Sequence, residues 1–172
     1  MELTAEEVAR LRDLLDKQSI EEVILRYCRG IDRMDRALVR SCYHDDAVDV
    51  HGSFSGNPDE YVDWAFRVIA RHAATFHFIG NVLIELEGRR ARAESYGISI
   101  HTSTSDEPER NLLVGFRYVD RFEQRDGNWR IAKRVATTDW TRVAPPEDRW
   151  PLPDGIPVGR RDRSDAVYEP FD

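Results

Sequence analysis

The run Thr75-Phe76-His77-Phe78-Ile79-Gly80-Asn81 sets an imidazole in the middle of an apolar, strand-like stretch. Histidine suits proton abstraction because its unperturbed pKa lies near about 6.5, so the neutral ring is available as a base at neutral pH. A carboxylate bonded to the far ring nitrogen fixes the tautomer and stabilises the imidazolium once the proton has moved. Asp32, in Tyr27-Cys28-Arg29-Gly30-Ile31-Asp32, is an acid in want of such a partner. It follows Cys28 by four residues, at the edge of an apolar helical stripe. In a last helical turn the dipole disfavours an anion by about 0.3–1 kcal/mol. A nearby imidazolium would compensate. The plainer alternatives are that Asp32 makes a solvated pair with Arg33 or Arg36, and that His77 is simply hydrogen-bonded within a sheet.

Other side chains fit around such a pair. Tyr27 lies on the buried stripe, so its ring belongs to the core, and its hydroxyl needs a partner or a pocket to point into. In Ala93, Ser95, Gly97, Ser99 and His101 one strand face stays small until the histidine, as a strand lining a cavity would; the alternative is a strand-end histidine in water. Lys133 and Arg134 are neighbours on one strand and face opposite sides, so one of them can carry charge inward. Trp64, Phe78 and Phe116 are apolar candidates for lining a cavity, or for filling a core.

The elements that must position these groups follow from period and caps. Thr4 with Glu7, and Ser19 with Glu22, have capping-box spacing, which predicts two helix starts. From Ser19 onward Ile20, Val23, Ile24, Tyr27 and Ile31 trace one stripe. Asp35 reads as the N-cap of a short helix over 36–43, and 47–51 as a short strand. Asn57-Pro58-Asp59-Glu60 is a further helix start. Strands are expected over 76–87, 91–102, 112–125 and 129–140, with turns at Gly88 and Asp126-Gly127 and a polar loop over 102–111. Helices first and a sheet afterwards argue an α+β fold.

Length and charge bound the rest. The 172 residues suit one domain, 41% apolar and 33% charged. The net charge of −7, from 25 basic and 32 acidic side chains, speaks against nucleic acid, and the basic cluster Arg160, Arg161 and Arg163 is mixed with Asp162 and Asp165. No apolar run spans a bilayer, and the acidic, amphipathic start MELTAEEVARLRD is no secretory signal, so a cytoplasmic protein is expected. Cys28 and Cys42 are too few for a disulfide framework or zinc cluster. The five histidines form no HxH or HExxH pair and no nucleotide motif is present, so neither metal nor cofactor is expected. Six of the eight prolines lie from Pro145 onward, dividing the chain into a domain over 1–144 and a Pro-rich extension over 145–172 that packs over it.

The segments RYCRGIDRMD, CYHDDAVDVHG, TFHFIGN and YVDRFEQRDGNWRIAKR together resemble the SnoaL-like branch of the NTF2-like superfamily, from Ser19 to Trp140. The resemblance implies a cone: a strongly curved antiparallel sheet wrapped around N-terminal helices, enclosing an apolar pocket. Within the superfamily the order Tyr, Asp, His is similar to that of bile-acid 7α-dehydratases, scytalone dehydratases and hexachlorocyclohexane dehydrochlorinases. It implies a cofactor-free lyase of the dehydratase type acting on a hydrophobic polycyclic or aromatic small molecule. His77 would be the base, Asp32 its partner, Tyr27 an aid to the departing or carbonyl oxygen and His101 a second acid, with a basic residue near Lys133 and Arg134 in the pocket. It also implies a homo-oligomer, a trimer or dimer. Binding without turnover, and isomerisation with the same base, are the competing functions on this fold.

Overall fold

In the computed structural model, which describes residues 2–103, 111–144 and 152–170, the chain begins with one helix, α1 (Ala5–Asp32). Thr4 caps it: the Thr4 hydroxyl accepts from the Glu7 N–H at 3.2 Å while the Glu7 carboxylate accepts from the Thr4 N–H at 2.8 Å. The second start expected at Ser19 does not form. Ser19 is mid-helix, and its hydroxyl donates to the Leu15 carbonyl one turn back at 2.8 Å, so an uninterrupted ladder outcompetes a local cap. The stripe of Ile20, Val23, Ile24, Tyr27 and Ile31 is buried.

At the end of α1 the chain reverses through Met34, whose φ is +55°, into α2 (Arg36–Ser41). The Asp35 carboxylate caps α2 by accepting from the Leu38 N–H at 3.1 Å. Strands β1 (Tyr43–His51) and β2 (Phe54–Gly56) follow. The three-residue β2 is too short for alternation to reveal in the sequence. Then α3 (Pro58–Ile69) starts at the capping box of Asn57 and Glu60. Its inner residues Tyr61, Val62, Ala65, Phe66 and Ile69 join the core.

Four long strands complete the fold: β3 (His72–Glu87), β4 (Arg90–Ser103), β5 (Asn111–Arg125) and β6 (Asn128–Ala144). The turn between β5 and β6 has positive φ at both Asp126 and Gly127, as a two-residue hairpin requires. The six strands form one sheet in the order β2-β1-β6-β5-β4-β3. Every pair is antiparallel except β1 with β6, which run parallel. The molecule is thus α+β, with helices packed on a curled, open, mixed sheet. Of the expected loop over 102–111, residues 104–110 lie outside the described part, as do 145–151 of the C-terminal extension.

Two consequences of this arrangement position the site. First, β3 is an edge strand, bonded only to β4, so half its backbone N–H groups face away from the ladder and need other partners. Second, the inner face of β4 is small: Ala93, Ser95, Gly97 and Ser99 are buried. Phe116 of β5 lies directly across from Gly97, and its ring rests where a Cβ at Gly97 would stand. Glycine there lets the ring lie flat on the sheet.

Candidate active site

Asp32, the last residue of α1, meets β3 at His77. One carboxylate oxygen accepts from the His77 backbone N–H at 2.8 Å, and the other is 2.7 Å from the ring's Nδ1. The acid therefore satisfies a free N–H of the edge strand and orients the imidazole at once. A carboxylate only accepts, so Nδ1 carries the proton and Nε2 is bare in the neutral ring. The two side chains are 10% and 9% exposed, so the pair is held largely out of bulk water. No partner is found for Nε2 among the described residues. Two donated hydrogen bonds offset the unfavourable placement of an acid at a helix C-terminus. Arg33 and Arg36 make other ion pairs, with Asp165 and Asp63.

Around His77 stand Phe116, with ring centroids 5.9 Å apart, and His101, 6.1 Å away. His101 lies directly across from Thr75 in the β3–β4 ladder, at the end of the small inner face of β4. Its Nε2 is 3.2 Å from the Ser99 hydroxyl, and the His72 ring is 4.9 Å from it. Burial, then the positive charges of His77 and His72 when protonated, bring the His101 pKa down to about 4. His101 is therefore neutral at pH 7 and can offer an N–H, but not an imidazolium, to a ligand.

That depression has a consequence for stability. Unfolded His101 titrates near about 6.5 and folded His101 near about 4, so between these values the unfolded chain binds more protons. Stability then falls as pH falls through that window, by on the order of 2–3 kcal/mol. Urea unfolding at pH 7 and at pH 4.5 should show this loss in the wild type and a smaller one in His101→Gln.

Tyr27 does not reach His77. Phe116 and Tyr118 stand between them: the ring of Tyr118 is 4.6 Å from that of Phe116 and 5.6 Å from that of Tyr27. The Tyr27 hydroxyl is hydrogen-bonded to that of Tyr61, which in turn lies 3.3 Å from His51 Nδ1. Burial pushes the Tyr27 hydroxyl well above the usual phenol range, so it stays protonated. The Arg134 guanidinium packs over both Tyr27 and Tyr118, 4.2 and 3.9 Å from the centroids of rings that meet edge to face. Asp120 takes two hydrogen bonds from it, at 2.8 and 2.6 Å. Tyr43 donates to Asp49 at 2.6 Å in the same region. These side chains form an enclosed polar cluster in the core, joined to His77 through the ring contacts of Tyr118 and Phe116.

The remaining candidates divide. Phe116 points inward beside His77. Phe78 is 59% exposed on the outer face of the sheet, with Phe76, Tyr96 and Ile98; alternation requires this once His77 faces inward. Lys133 is also on the exposed side, and the buried cation is Arg134, because an irregularity between β5 and β6 pairs Phe122 with Ile131 but Arg121 with Lys133. Trp64 stacks on Phe54, with centroids 5.5 Å apart, near His51 rather than His77. Among the described residues no three His, Cys, Asp or Glu side chains gather into a metal-binding group. No described helix is long and apolar enough to cross a membrane.

Sequence reasoning missed Thr75 and Arg161 at this site, and placed Ser99 only as a small residue on the face of His101. Thr75 carries a signal in hindsight, since it shares a strand face with His77. Arg161 carries none that is local. It belongs to the C-terminal segment, which runs along the end of α1: the Arg160 carbonyl accepts from Arg33 at 3.1 Å, and the Asp35 carboxylate from Tyr168 at 3.2 Å.

The SnoaL-like domain family matches residues 12–135, a span that includes Asp32, His77, His101 and Arg134 but not Arg161. No curated protein sequence matches significantly. Among solved structures, a type 2 hexachlorocyclohexane dehydrochlorinase, LinA, is similar over 86% of this chain and 99% of its own, with 19% identity and a TM-score of 0.74. The type 3 LinA of Novosphingobium barchaimii is similar over 84% of this chain and 99% of its own, with 19% identity and a TM-score of 0.72. A protein of Novosphingobium aromaticivorans, provisionally described as a scytalone dehydratase, is similar over 81% and 97%, with 21% identity and a TM-score of 0.68. Likeness at these identities is a likeness of fold.

Proposed function

The chain belongs to the SnoaL-like domain family, and we propose that it is a cofactor-independent lyase of the dehydratase type acting on a hydrophobic polycyclic or aromatic small molecule. The observation that carries this reading is the Asp32 carboxylate on His77 Nδ1 at 2.7 Å, which leaves Nε2 as the basic atom of a largely buried ring. His77 takes a proton from a C–H bond of the substrate. The released electron pair ends in a new C=C bond once the neighbouring C–O bond has broken, and the departing hydroxide leaves as water with the proton from His77. Asp32 holds the tautomer and balances the imidazolium. His101, neutral, donates a hydrogen bond to an oxygen of the substrate, and Phe116 gives the apolar ring contact. Tyr27 is assigned no step, because its hydroxyl is engaged by Tyr61. The solved structures similar in fold include proteins named for eliminations, which is consistent with this chemistry.

The test is a screen of hydroxy-steroids and hydroxy-aromatics with wild type and His77→Ala. Loss of water from at least one substrate is expected with the wild type, and a fall of about 10²-fold or more with the variant. Equal turnover by both would remove His77 as the base. Product analysis separates elimination from isomerisation, which returns the proton and keeps the oxygen.

A further inference from the structure

Three buried polar atoms beside the Asp32–His77 pair have no hydrogen-bond partner among the described residues: Thr75 Oγ1, His101 Nδ1 and Arg161 Nε. Buried polar groups are nearly always paired, so three orphans in one place call for an explanation. They are contiguous. Thr75 and His101 face each other across the ladder, the His101 ring lies 4.9 Å from that of His72, and Arg161 donates to the His72 carbonyl. Arg161 is fixed there by further contacts, from Nη1 and Nη2 to the Ile69 carbonyl at 3.2 Å and from Nη2 to Met34 Sδ at 3.1 Å. The guanidinium is thus anchored by its end nitrogens with Nε left over. Burial draws its pKa below the usual arginine value while the charge of Asp32 pulls it back, as expected for a cation close to the pair. With the Ser99 hydroxyl engaging His101 Nε2, a proton on His101 Nδ1 makes all three orphans hydrogen-bond donors.

We propose that Arg161, from the segment beyond the SnoaL-like domain match, is a binding residue of this site, and that with Thr75 and His101 it receives a negatively polarised oxygen of the ligand. This rests on the lyase reading and narrows its substrate class to molecules bearing a carbonyl or ring oxygen conjugated with the carbon that loses its proton. His77 Nε2 takes that proton and the electron pair passes to the oxygen, where the three donors hold it as an enolate or phenolate. The pair then returns to form the C=C bond as hydroxide leaves from the next carbon. Hydroxide and the proton from His77 make water. Donors aimed at where charge develops stabilise it most when water is excluded.

The probe is 4-nitrophenol, whose ionised and neutral forms absorb at different wavelengths, titrated into the full-length protein, with 4-nitrotoluene as the control that lacks the oxyanion. Wild type is expected to bind the ionised form in preference. Arg161→Gln should weaken that binding about tenfold or more, as for a lost charge-assisted hydrogen bond. Thr75→Val, which leaves the C-terminal segment untouched, should weaken it in the same direction. Equal turnover by wild type and His77→Ala, with the preference for the ionised form intact in the wild type, would sink the base assignment alone, so the two failures are distinguishable. Unchanged affinity in Arg161→Gln overturns the proposal. So does an equal loss for 4-nitrotoluene, which a merely displaced segment would give. Wild type that shows no preference for the ionised form overturns it as well.

Discussion

Asparagine in place of Asp32 is expected to lower turnover on the order of 10²–10⁴-fold with the fold retained. The reason is tautomeric. The Asp32 carboxylate receives both the His77 backbone N–H and the ring Nδ1, and it can only accept. An asparagine keeps one accepting oxygen, which can go on serving the edge-strand N–H, but it presents an amide N–H to the ring. Nδ1 must then become the acceptor and the proton moves to Nε2, the atom required to be bare. The cost to stability is modest, since a neutral amide at the end of α1 also removes an anion from the negative end of the helix dipole. Turnover of a substrate from the screen, measured beside the unfolding midpoint, separates this result from a merely structural role, in which both would fall together.

Alanine in place of Asp120 is expected to destabilise the protein by about 3–5 kcal/mol, a large share of the ~5–15 kcal/mol that holds a typical domain together. Arg134 and Asp120 are both fully buried. Burial pushes the Asp120 carboxyl up and the guanidinium pulls it back, so each charge depends on the other. Removing the acid leaves a guanidinium against Tyr27 and Tyr118 with no counter-charge, and its Nη1 has no hydrogen-bond partner among the described residues. Replacing both partners, as Asp120→Leu with Arg134→Met, should cost much less than the single change, because no uncompensated charge stays behind. Urea denaturation of the single and double variants checks the pair.

Much of this was readable residue by residue. The 3.6-residue stripe on α1, the caps at Thr4, Asp35 and Asn57, and the hairpin at Asp126-Gly127 are local signals, and local physics decides them. Asp32 was conspicuous because an acid in a last helical turn is unfavourable without compensation. His101 stood out through the small side chains that precede it on its strand face. Phe78 faces away from His77 by a rule legible in the sequence, since adjacent strand residues face opposite ways. Which of Lys133 and Arg134 faces inward is not legible locally: the irregularity that turns Arg134 inward is a property of the β5–β6 pairing and leaves no mark on either strand alone. The parallel β1–β6 pairing and the placement of Arg161 beside His72 are non-local in the same sense. They join segments far apart in the chain, and no periodicity records them.

The most direct test of the central claim is the protonation of the two His77 ring nitrogens, read by long-range ¹H–¹⁵N correlation of the neutral ring in wild type and in Asp32→Asn. A proton on Nδ1 and a bare Nε2 in the wild type, exchanged in the variant, is the predicted result. A wild-type ring protonated on Nε2, or one indifferent to the loss of the carboxylate, would contradict it.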